Sequence, residues 1–318
     1  MASVSLPTAA RLHARRARRS AAAVPKGAWY MVGAALAFSA MNALVKAVSA
    51  ELPTMEIVFV RTLLMGFFTL VMLRRAGVRP MGNNTWLLFS RGAIGVTALS
   101  LLYFALGRIP LGDATTIHYT APVWTALTAA FLLRERIGKW VIGGTVVSLV
   151  GVGMIAKPAF LFGGGGLDGL AVGAAVVASI LAGGVYTLVR KLRETDHPLV
   201  IVFALAWVGV LGSLPFAFFG GWTWPTTEAW ALLLGIGVTT QIGQVYLTKS
   251  LHLLPAGRAT AIGYVQIVFA FALGVVFFAT VPDVWSVIGA ALVLASVLLL
   301  ARRERPRRAT EAVRPGTA

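Results

Sequence analysis

The sequence predicts an all-α integral membrane protein with ten transmembrane helices, arranged as two inverted repeats of five helices. Three observations lead to this prediction. Of the 318 residues, 58% are hydrophobic and only 12% are charged, whereas soluble domains carry about 25% charged residues. Apolar runs of about 20 residues, long enough to span a bilayer as a helix, recur along the chain. Similar segments also return at a nearly constant spacing, which indicates an internal repeat.

Ten apolar segments are predicted to cross the membrane. The connections between them are short and rich in Pro, Gly, Asn and Asp, the composition of turns. Backbone amides in lipid must be hydrogen-bonded within the chain, so we expect helices throughout. In chain order the predicted spans are 27–48, 54–73, 85–107, 112–133, 138–157, 168–189, 198–219, 228–248, 257–279 and 283–301.

The predicted domains follow from these spans. A disordered cytoplasmic tail (1–26) precedes the first repeat (27–157), and a glycine-rich outer linker (158–167) leads to the second repeat (168–301). A basic cytoplasmic tail (302–318) ends the chain. The acid-free N-terminal tail also has the composition of an organelle transit peptide, which is the alternative interpretation of that segment.

The net charge of +17 is distributed unevenly along the chain. If the N-terminus is cytoplasmic, 23 of the 28 Lys and Arg residues lie on the cytoplasmic side. The positive-inside rule therefore predicts that both termini are cytoplasmic, and we expect the bacterial inner (plasma) membrane. No basic–aromatic module accompanies the charge, so it indicates orientation and not nucleic-acid binding.

The two halves of the chain resemble each other. "PLGDATTIHYTAPV" (110–123) and "PAGRATAIGYVQIV" (255–268) agree at seven of fourteen positions, 145 residues apart, and "NALVKAV" (42–48) aligns with "YTLVRKL" (186–192) at a spacing of 144. This spacing pairs spans one, two, four and five with spans six, seven, nine and ten. Because each half holds an odd number of spans, the halves must have opposite orientations, an arrangement typical of transporters.

Residues 113–155, "DATTIHYTAPVWTALTAAFLLRERIGKWVIGGTVVSLVGVGMI", resemble the end of the first repeat of EamA-type transporters in the drug/metabolite transporter superfamily. "IGAALVLASVLLL" (288–300) resembles the end of the second repeat. The resemblance implies a membrane carrier for a small metabolite, in a family that handles amino acids, nucleotide sugars, cofactors, organic acids and amphiphiles. Glu135 aligns with Thr280, where the family often has an acid. Glu135 is a candidate for a gating or ion-pair role.

Arg61 and Arg91 place charges inside the second and third predicted spans. A charge at the bilayer centre costs about 2.5–3.5 kcal/mol on insertion scales, so each is a candidate for substrate binding. The alternative is that both side chains extend to the lipid headgroups. Gly95 and Ala98 lie on the same helix face as Arg91, and small residues favour a face turned toward other helices or a cavity.

Further polar and aromatic side chains occur on single faces of predicted helices, which indicates faces turned toward protein or water. Lys46 also fits an anchor at a helix end, the glutamines fit hydrogen bonds between helices, and the aromatic rings fit ordinary packing. Together with the two arginines, the predicted substrate-binding residues are Asn42, Lys46, His118, Tyr119, Trp124, Tyr186, Gln241, Gln244, Tyr264 and Gln266.

Glu56 is the acidic residue set against these cationic candidates, and we expect it to form a gate or an ion pair with Lys46 or Arg61. The cationic balance favours an anionic or zwitterionic solute. Our hypothesis is that Arg61 and Arg91 attract a carboxylate or phosphate from opposite faces. A lone glutamate near the surface is a poor proton carrier, so the sequence alone does not support proton coupling.

These features predict a secondary-active transporter of a small polar metabolite that works by alternating access, not an enzyme. The alternatives are a multi-span membrane enzyme and a channel-like facilitator. Four His and no Cys residues offer few groups for an active site, and no metal-ligand spacing is found. We expect no cofactor, no metal and no nucleic acid. The expected partners are a small solute and the lipid bilayer, and the oligomeric state stays open.

Overall fold

The computed structural model describes residues 26–132, 139–157, 166–192, 194–219, 222–253 and 262–303. All regular secondary structure in these ranges is helical, which confirms the all-α prediction for the described residues. In chain order the helices are α1 (Lys26–Val48), α2 (Thr54–Ala76), α3 (Thr85–Arg108), α4 (Leu111–His118), α5 (Ala121–Leu132), α6 (Lys139–Ala156), α7 (Gly169–Leu192), α8 (Pro198–Phe219), α9 (Thr227–Leu253), α10 (Val265–Phe278) and α11 (Val284–Arg303).

Six of these helices, α1, α2, α3, α7, α8 and α9, are long and apolar enough to cross a membrane, and α6, α10 and α11 contain shorter apolar segments. This composition fits an integral membrane protein. Residues 1–25, 158–165 and 304–318 lie outside the described residues. The count of ten spans and the predicted domain limits therefore stay predictions.

The fourth predicted span, 112–133, is not one continuous helix. Helix α4 ends at His118 and α5 begins at Ala121. Pro122 explains the break, because proline lacks the amide proton for a helical hydrogen bond and its ring clashes with the carbonyl group four residues earlier. Tyr264, which the repeat alignment pairs with Tyr119, is likewise a turn residue before α10. Both halves therefore interrupt a helix at an equivalent tyrosine.

The helix pairs form a pattern that is consistent with the predicted repeat. Helix α1 packs on α9, α3 on α7, α2 on α8, α4 on α10 and α6 on α11. In the repeat, each helix of the first half has an equivalent helix in the second half. If every helix is replaced by its equivalent, the α1–α9 pair becomes the α7–α3 pair, and each of the other three pairs stays the same. A pseudo-two-fold axis between the halves would produce this set of contacts.

Polar contacts join loops at both ends of the α2–α8 pair. At the predicted outer end, Glu51 Oε1 accepts a hydrogen bond from the Thr226 amide at 2.9 Å. At the predicted inner end, Asp196 Oδ1 accepts one from the Asn83 amide at 2.6 Å. At the repeat spacing of 144, Glu51 corresponds to Thr195, which is next to Asp196. Thr226 corresponds to Gly82, which is next to Asn83. The two contacts thus occupy nearly equivalent places at opposite ends.

Two glycines allow α6 and α11 to cross at close range. A Cβ atom on Gly289 would stand 2.5 Å from the carbonyl oxygen of Gly151 and 2.7 Å from Ile155 Cγ1. One turn away, the hydroxyl groups of Ser148 and Ser296 share a hydrogen bond. Small residues and hydroxyl pairs are the usual means of helix association in a bilayer, where apolar surface is not driven together by water.

We expect Gly289→Ala to lower the thermal stability of the purified protein, because the added methyl group would force the α6 and α11 backbones apart. Overpacking of this kind costs about 1–3 kcal/mol. Gly153→Ala on α6 is the matched control, since nothing lies within 4 Å of its Cβ position. Unfolding followed by tryptophan fluorescence in detergent measures both. Equal midpoints for the two variants would contradict the close crossing.

Candidate functional site

The two helix breaks meet at the interface of α4 and α10. The rings of Tyr119 and Tyr264 lie 5.2 Å apart in an edge-to-face arrangement. The Tyr119 hydroxyl group donates a hydrogen bond to Gln266 Oε1 at 2.6 Å, and the Ser39 hydroxyl group donates to the Gln266 carbonyl at 3.1 Å. Tyr119, Tyr264 and Gln266, three of the predicted site residues, are therefore neighbours. Helix α1 joins them through Ser39.

A seam of hydroxyl groups joins α5 to α7 beside these breaks. Thr120 donates to Ser179 Oγ at 3.0 Å, and the Trp124 indole donates to Thr120 Oγ1 at 3.2 Å. Gly183 makes the close approach possible, because a Cβ atom there would stand 2.6 Å from the Trp124 Cβ atom. Trp124 thus lies on the α5–α7 interface, and its indole N–H group is already bound.

Several buried polar atoms in this region have no hydrogen-bond partner among the residues that the structure describes. They are Oδ1 of Asn42, Nδ1 of His118 and the hydroxyl group of Tyr264. Leaving such a group unpaired away from water costs about 1–3 kcal/mol. Native structures normally satisfy these groups with protein or ordered water, so the region is suited to hold water or a polar solute.

Arg61 lies inside the helix bundle. Its side chain is 6% exposed, its guanidinium carbon lies 5.6 Å from the centre of the Tyr103 ring, and its Nε and Nη1 atoms have no hydrogen-bond partner. The Tyr103 hydroxyl group in turn lies 3.7 Å from the sulfur of Met41, the neighbour of Asn42. The structure therefore places Arg61 against protein and not toward the headgroups.

Arg91 lies at a different depth on α3. Its Nε and Nη1 atoms are also buried and unpartnered. Gly95, one turn away on α3, borders the guanidinium group, since Nη1 lies 3.9 Å from where a Cβ atom would stand. Arg91 is twelve residues from Tyr103 on the same helix, a separation of about 18 Å at 1.5 Å per residue. The two arginines do not meet at one point. Tyr186, which is more than half exposed, lies within electrostatic range of Arg91.

Lys46 and Glu56 are engaged elsewhere. Lys46 Nζ donates to the carbonyl oxygens of Leu106 at 3.0 Å and Ile109 at 2.8 Å. A cation is favourable here because these carbonyls belong to the C-terminal end of α3. Glu56 Oε1 accepts a hydrogen bond from the Thr223 amide at 2.9 Å. The expected ion pair of Glu56 with Lys46 or Arg61 is absent from the described contacts, because Lys46 is bound to backbone.

The two glutamines of α9 lie away from the helix breaks. The side-chain amide of Gln241 donates to the sulfur of Met72 at 2.8 Å, across the α9–α2 interface. Gln244 is half-buried. Glu135, the predicted gating residue, lies outside the described residues. Within the part of the chain that the structure describes, no group of three His, Asp or Glu residues could hold a metal ion.

The sequence analysis missed Asp113 and Tyr103. Asp113 falls within the predicted span 112–133 but is not among the predicted site residues. It lies in the first helical turn of α4, which begins at Leu111, and it is 4% exposed. The preceding Pro110 could have indicated the helix start, since proline is common at helix N-termini. Tyr103 is fully buried, and no pattern in its span distinguished it from other packed aromatic residues.

Residues 25–157 and 169–302 each match the sequence model of the EamA-like transporter family. The chain is 32% identical over 279 residues to the pseudopaline exporter CntI of Pseudomonas aeruginosa, covering 88% of this chain and 97% of the exporter. It is 29% identical to human solute carrier family 35 member G1, covering 88% of this chain and 80% of that protein. A transporter of Helicobacter pylori is 29% identical over 84% of this chain and 91% of its own length.

A crystal structure of another protein has a similar fold, with a TM-score of 0.61 over 88% of this chain and 99% of that one. The sequence identity is 20%, so this similarity concerns the fold alone.

We expect Lys46→Met to lower the thermal stability by about 2 kcal/mol, because two carbonyl groups lose a charged donor. Lys191→Met is the matched control, since Lys191 is exposed at the predicted inner end. Differential scanning fluorimetry in detergent compares both with the wild type. If the Lys46 and Lys191 variants unfold at the same temperature, Lys46 does not stabilise the end of α3.

Proposed function

The chain belongs to the EamA-like transporter family of the drug/metabolite transporter superfamily, and we propose that it is a secondary carrier for a small anionic or zwitterionic solute. Family membership and the named relatives make it a membrane transporter. The finer proposal depends on one observation: two guanidinium groups, those of Arg61 and Arg91, are buried in the helix bundle with unpartnered N–H donors.

A buried guanidinium group without an acceptor is costly, and an incoming carboxylate or phosphate would remove that cost. Arginine binds both groups with two parallel hydrogen bonds, which are stronger when water is excluded. The contact of Arg61 with the Tyr103 ring provides some compensation by a cation–π interaction,, but the ring leaves the in-plane donors Nε and Nη1 free. The same reasoning disfavours a hydrophobic cation as the solute, because no acidic residue accompanies the arginines among their described contacts.

The neutral polar groups near the helix breaks complete the proposed binding region. Asn42, His118 and Tyr264 offer unpartnered atoms, and Gln266 and Tyr119 are held together by their mutual hydrogen bond. Interrupted helices provide polar backbone ends in the middle of the membrane, which is where carriers of this kind bind their solutes. The amino acids, organic acids and nucleotide-type or cofactor-like solutes are the candidate classes.

Alternating access is the proposed mechanism. Two matches to one family model and the exchangeable helix pairs support two five-span halves of opposite orientation in the membrane. Two equivalent halves can exchange conformations, so that the same site opens to one side and then to the other. We place both termini in the cytoplasm and the chain in a bacterial inner (plasma) membrane, as the distribution of basic residues suggests.

An enzyme and a channel are the competing functions. An enzyme would require a cluster of titratable groups at one site, and the unpartnered atoms near the helix breaks come from one amide, one imidazole and one phenol. A channel would conduct without changing conformation. Counterflow in proteoliposomes, in which unlabelled solute inside drives the uptake of labelled solute, occurs with a carrier and not with a channel.

The solute class is tested by a thermal-shift screen with glutamate, citrate, uridine diphosphate and pseudopaline, the last because one relative is named as its exporter. We expect an anionic or zwitterionic compound to raise the unfolding temperature of the wild type. Arg61→Ala should weaken that binding by roughly 10–100-fold, the loss of a charged hydrogen bond worth about 1.5–3 kcal/mol. Arg91→Ala should slow transport of the same compound.

Arg74→Ala is the matched control, since Arg74 is exposed in the last turn of the same helix as Arg61. Its affinity and transport rate should equal those of the wild type. Arg61→Ala and Arg91→Ala proteins that insert normally and transport at the wild-type rate would exclude the proposed arginine site.

The natural absence of cysteine allows a direct measurement of alternating access. Asn42→Cys would introduce the sole thiol of the chain, at a position that is 4% exposed. We expect membrane-impermeant maleimide to label it from the outside of right-side-out vesicles and also from the cytoplasmic side of inverted vesicles. Labelling from one side alone would argue against a site that opens to both.

A further inference from the structure

A buried carboxylate at the predicted outer end faces a small cavity. Asp113 is 4% exposed, and its Oδ1 atom has no hydrogen-bond partner. The cavity has a volume of about 90 Å³ and is bordered by Asp113, Lys157, Thr280, Asp283 and Ser286 among others. A space of this size holds several water molecules. The carboxylate is therefore buried in the protein beside a space that can hold water.

The charges around this cavity leave Asp113 without a counter-ion of its own. Lys157 Nζ lies 2.5 Å from Asp283 Oδ2, so the one ammonium group among the described residues that line the cavity is paired with the other carboxylate. Asp283 also accepts a hydrogen bond from the Ser286 amide at 3.0 Å, so its carboxylate is satisfied by Lys157 and by the backbone. The cavity thus has two carboxylates and one cation. The cation is bound to Asp283, and Asp113 has no ion-pair partner among the described residues.

The other charged groups that the neighbouring helices bring to this end have partners elsewhere. From α3, Arg108 pairs with Asp168 at 3.3 Å, beside the start of α7. From α1, Lys46 binds the carbonyl groups at the end of α3. Helix α10 borders the cavity with the uncharged Phe271 and Gly274, and α11 with Ser286, whose hydroxyl group lies within hydrogen-bond range of Asp113.

The ordinary role of an aspartate in the first turn of a helix is to cap the helix and balance its dipole. Asp168 and Asp283 have this role here: Asp168 Oδ1 accepts the Leu170 amide at 2.9 Å, and Asp283 Oδ1 accepts the Ser286 amide at 3.0 Å. Both are only partly buried or exposed. Asp113 differs because its Oδ1 accepts no hydrogen bond from the described residues, and the residue borders the cavity. Capping therefore does not account for its burial.

Helix α4 connects this cavity to the proposed solute site. Asp113 and His118 are five residues apart on α4, about 7.5 Å along the axis. His118 and the following Tyr119 lie at the helix break, where Tyr119 binds Gln266. A change at one end of so short a helix moves the residues at the other end.

We propose that Asp113 binds and releases a proton during the transport cycle and thereby couples proton movement to the opening of the central site. The coupling part of this inference rests on the proposed carrier function, whereas the proton site itself does not. When Asp113 is ionised, the cavity carries an unpaired negative charge that favours hydration and an open outer end. When a proton binds Oδ1, the charge disappears, the cavity can close, and α4 shifts toward the central helix break.

The proton site is tested without any solute, by infrared difference spectroscopy of the protein in lipid vesicles between neutral and mildly acidic buffer. We expect one carbonyl band of a protonated carboxylic acid to form in the wild type, to vanish in Asp113→Asn and to persist in Asp113→Glu. Asp196→Asn is the control, because Asp196 is equally buried but already accepts hydrogen bonds from Asn83 and Thr195. A band that survives in Asp113→Asn, or no band at all, overturns the assignment.

The coupling is tested by maleimide labelling of Asn42→Cys from each side of the membrane at the same two pH values. Each rate is divided by that of the unfolded protein, which removes the pH dependence of the thiol itself. We expect acidification to change the ratio of outer to inner labelling several-fold, and Asp113→Asn to make this ratio independent of pH.

The two measurements separate the two proposals. An infrared band from Asp113 with labelling from one side alone would refute the carrier mechanism and with it the coupling. Labelling from both sides, with a ratio that still follows pH in Asp113→Asn, would refute the coupling role and leave the carrier proposal standing.

Discussion

The requirement that every backbone polar group in lipid be satisfied governs this structure. It restricts the spans to helices and makes each interruption costly, so an interruption persists only where neighbouring groups compensate for it. The break after His118 meets this condition: Thr120 Oγ1 lies 2.8 Å from the Ile117 carbonyl oxygen, within hydrogen-bond range, and Tyr119 binds Gln266 across the interface. The turn at Tyr264 lies against the same pair. The polar region at the centre of the bundle thus exists because two helices are broken at one place.

The charged side chains of the bundle fall into two groups, those with hydrogen-bond partners and those without. Cations that have acceptors are structural: Lys46 binds the end of α3, and Lys157 binds Asp283. Arg61 and Arg91, whose buried donors lack acceptors, are the groups for which a ligand would lower the energy most. Burial by itself therefore does not identify a functional charge in this protein. The number of unpaired donors or acceptors does. By that criterion Asp113 and Glu56 both rank with the arginines, because each has one buried oxygen without a partner among the described residues, although the other oxygen of Glu56 is bound to a loop amide.

Close packing and polar contacts together hold the halves in place. Helices α6 and α11 cross through Gly151 and Gly289, while the loop contacts of Glu51 and Asp196 join opposite ends of the α2–α8 pair. The short helix α4 lies between the outer cavity and the central break, and the proposed coupling between these two polar regions runs through it.

The sequence by itself determined the helical class, the placement of most helices within a few residues, the repeat spacing and the family, because hydropathy and periodicity are local properties that lipid makes decisive. It also identified the tyrosine pair and Gln266, since the repeat alignment superposes their segments. Only the tertiary structure decided which polar groups are satisfied. Lys46 and Glu56 find backbone partners on other elements, and Asp113, which no sequence pattern singled out, lies buried beside a cavity. Hydrogen-bond partners come from residues distant in the chain, and no local pattern records them.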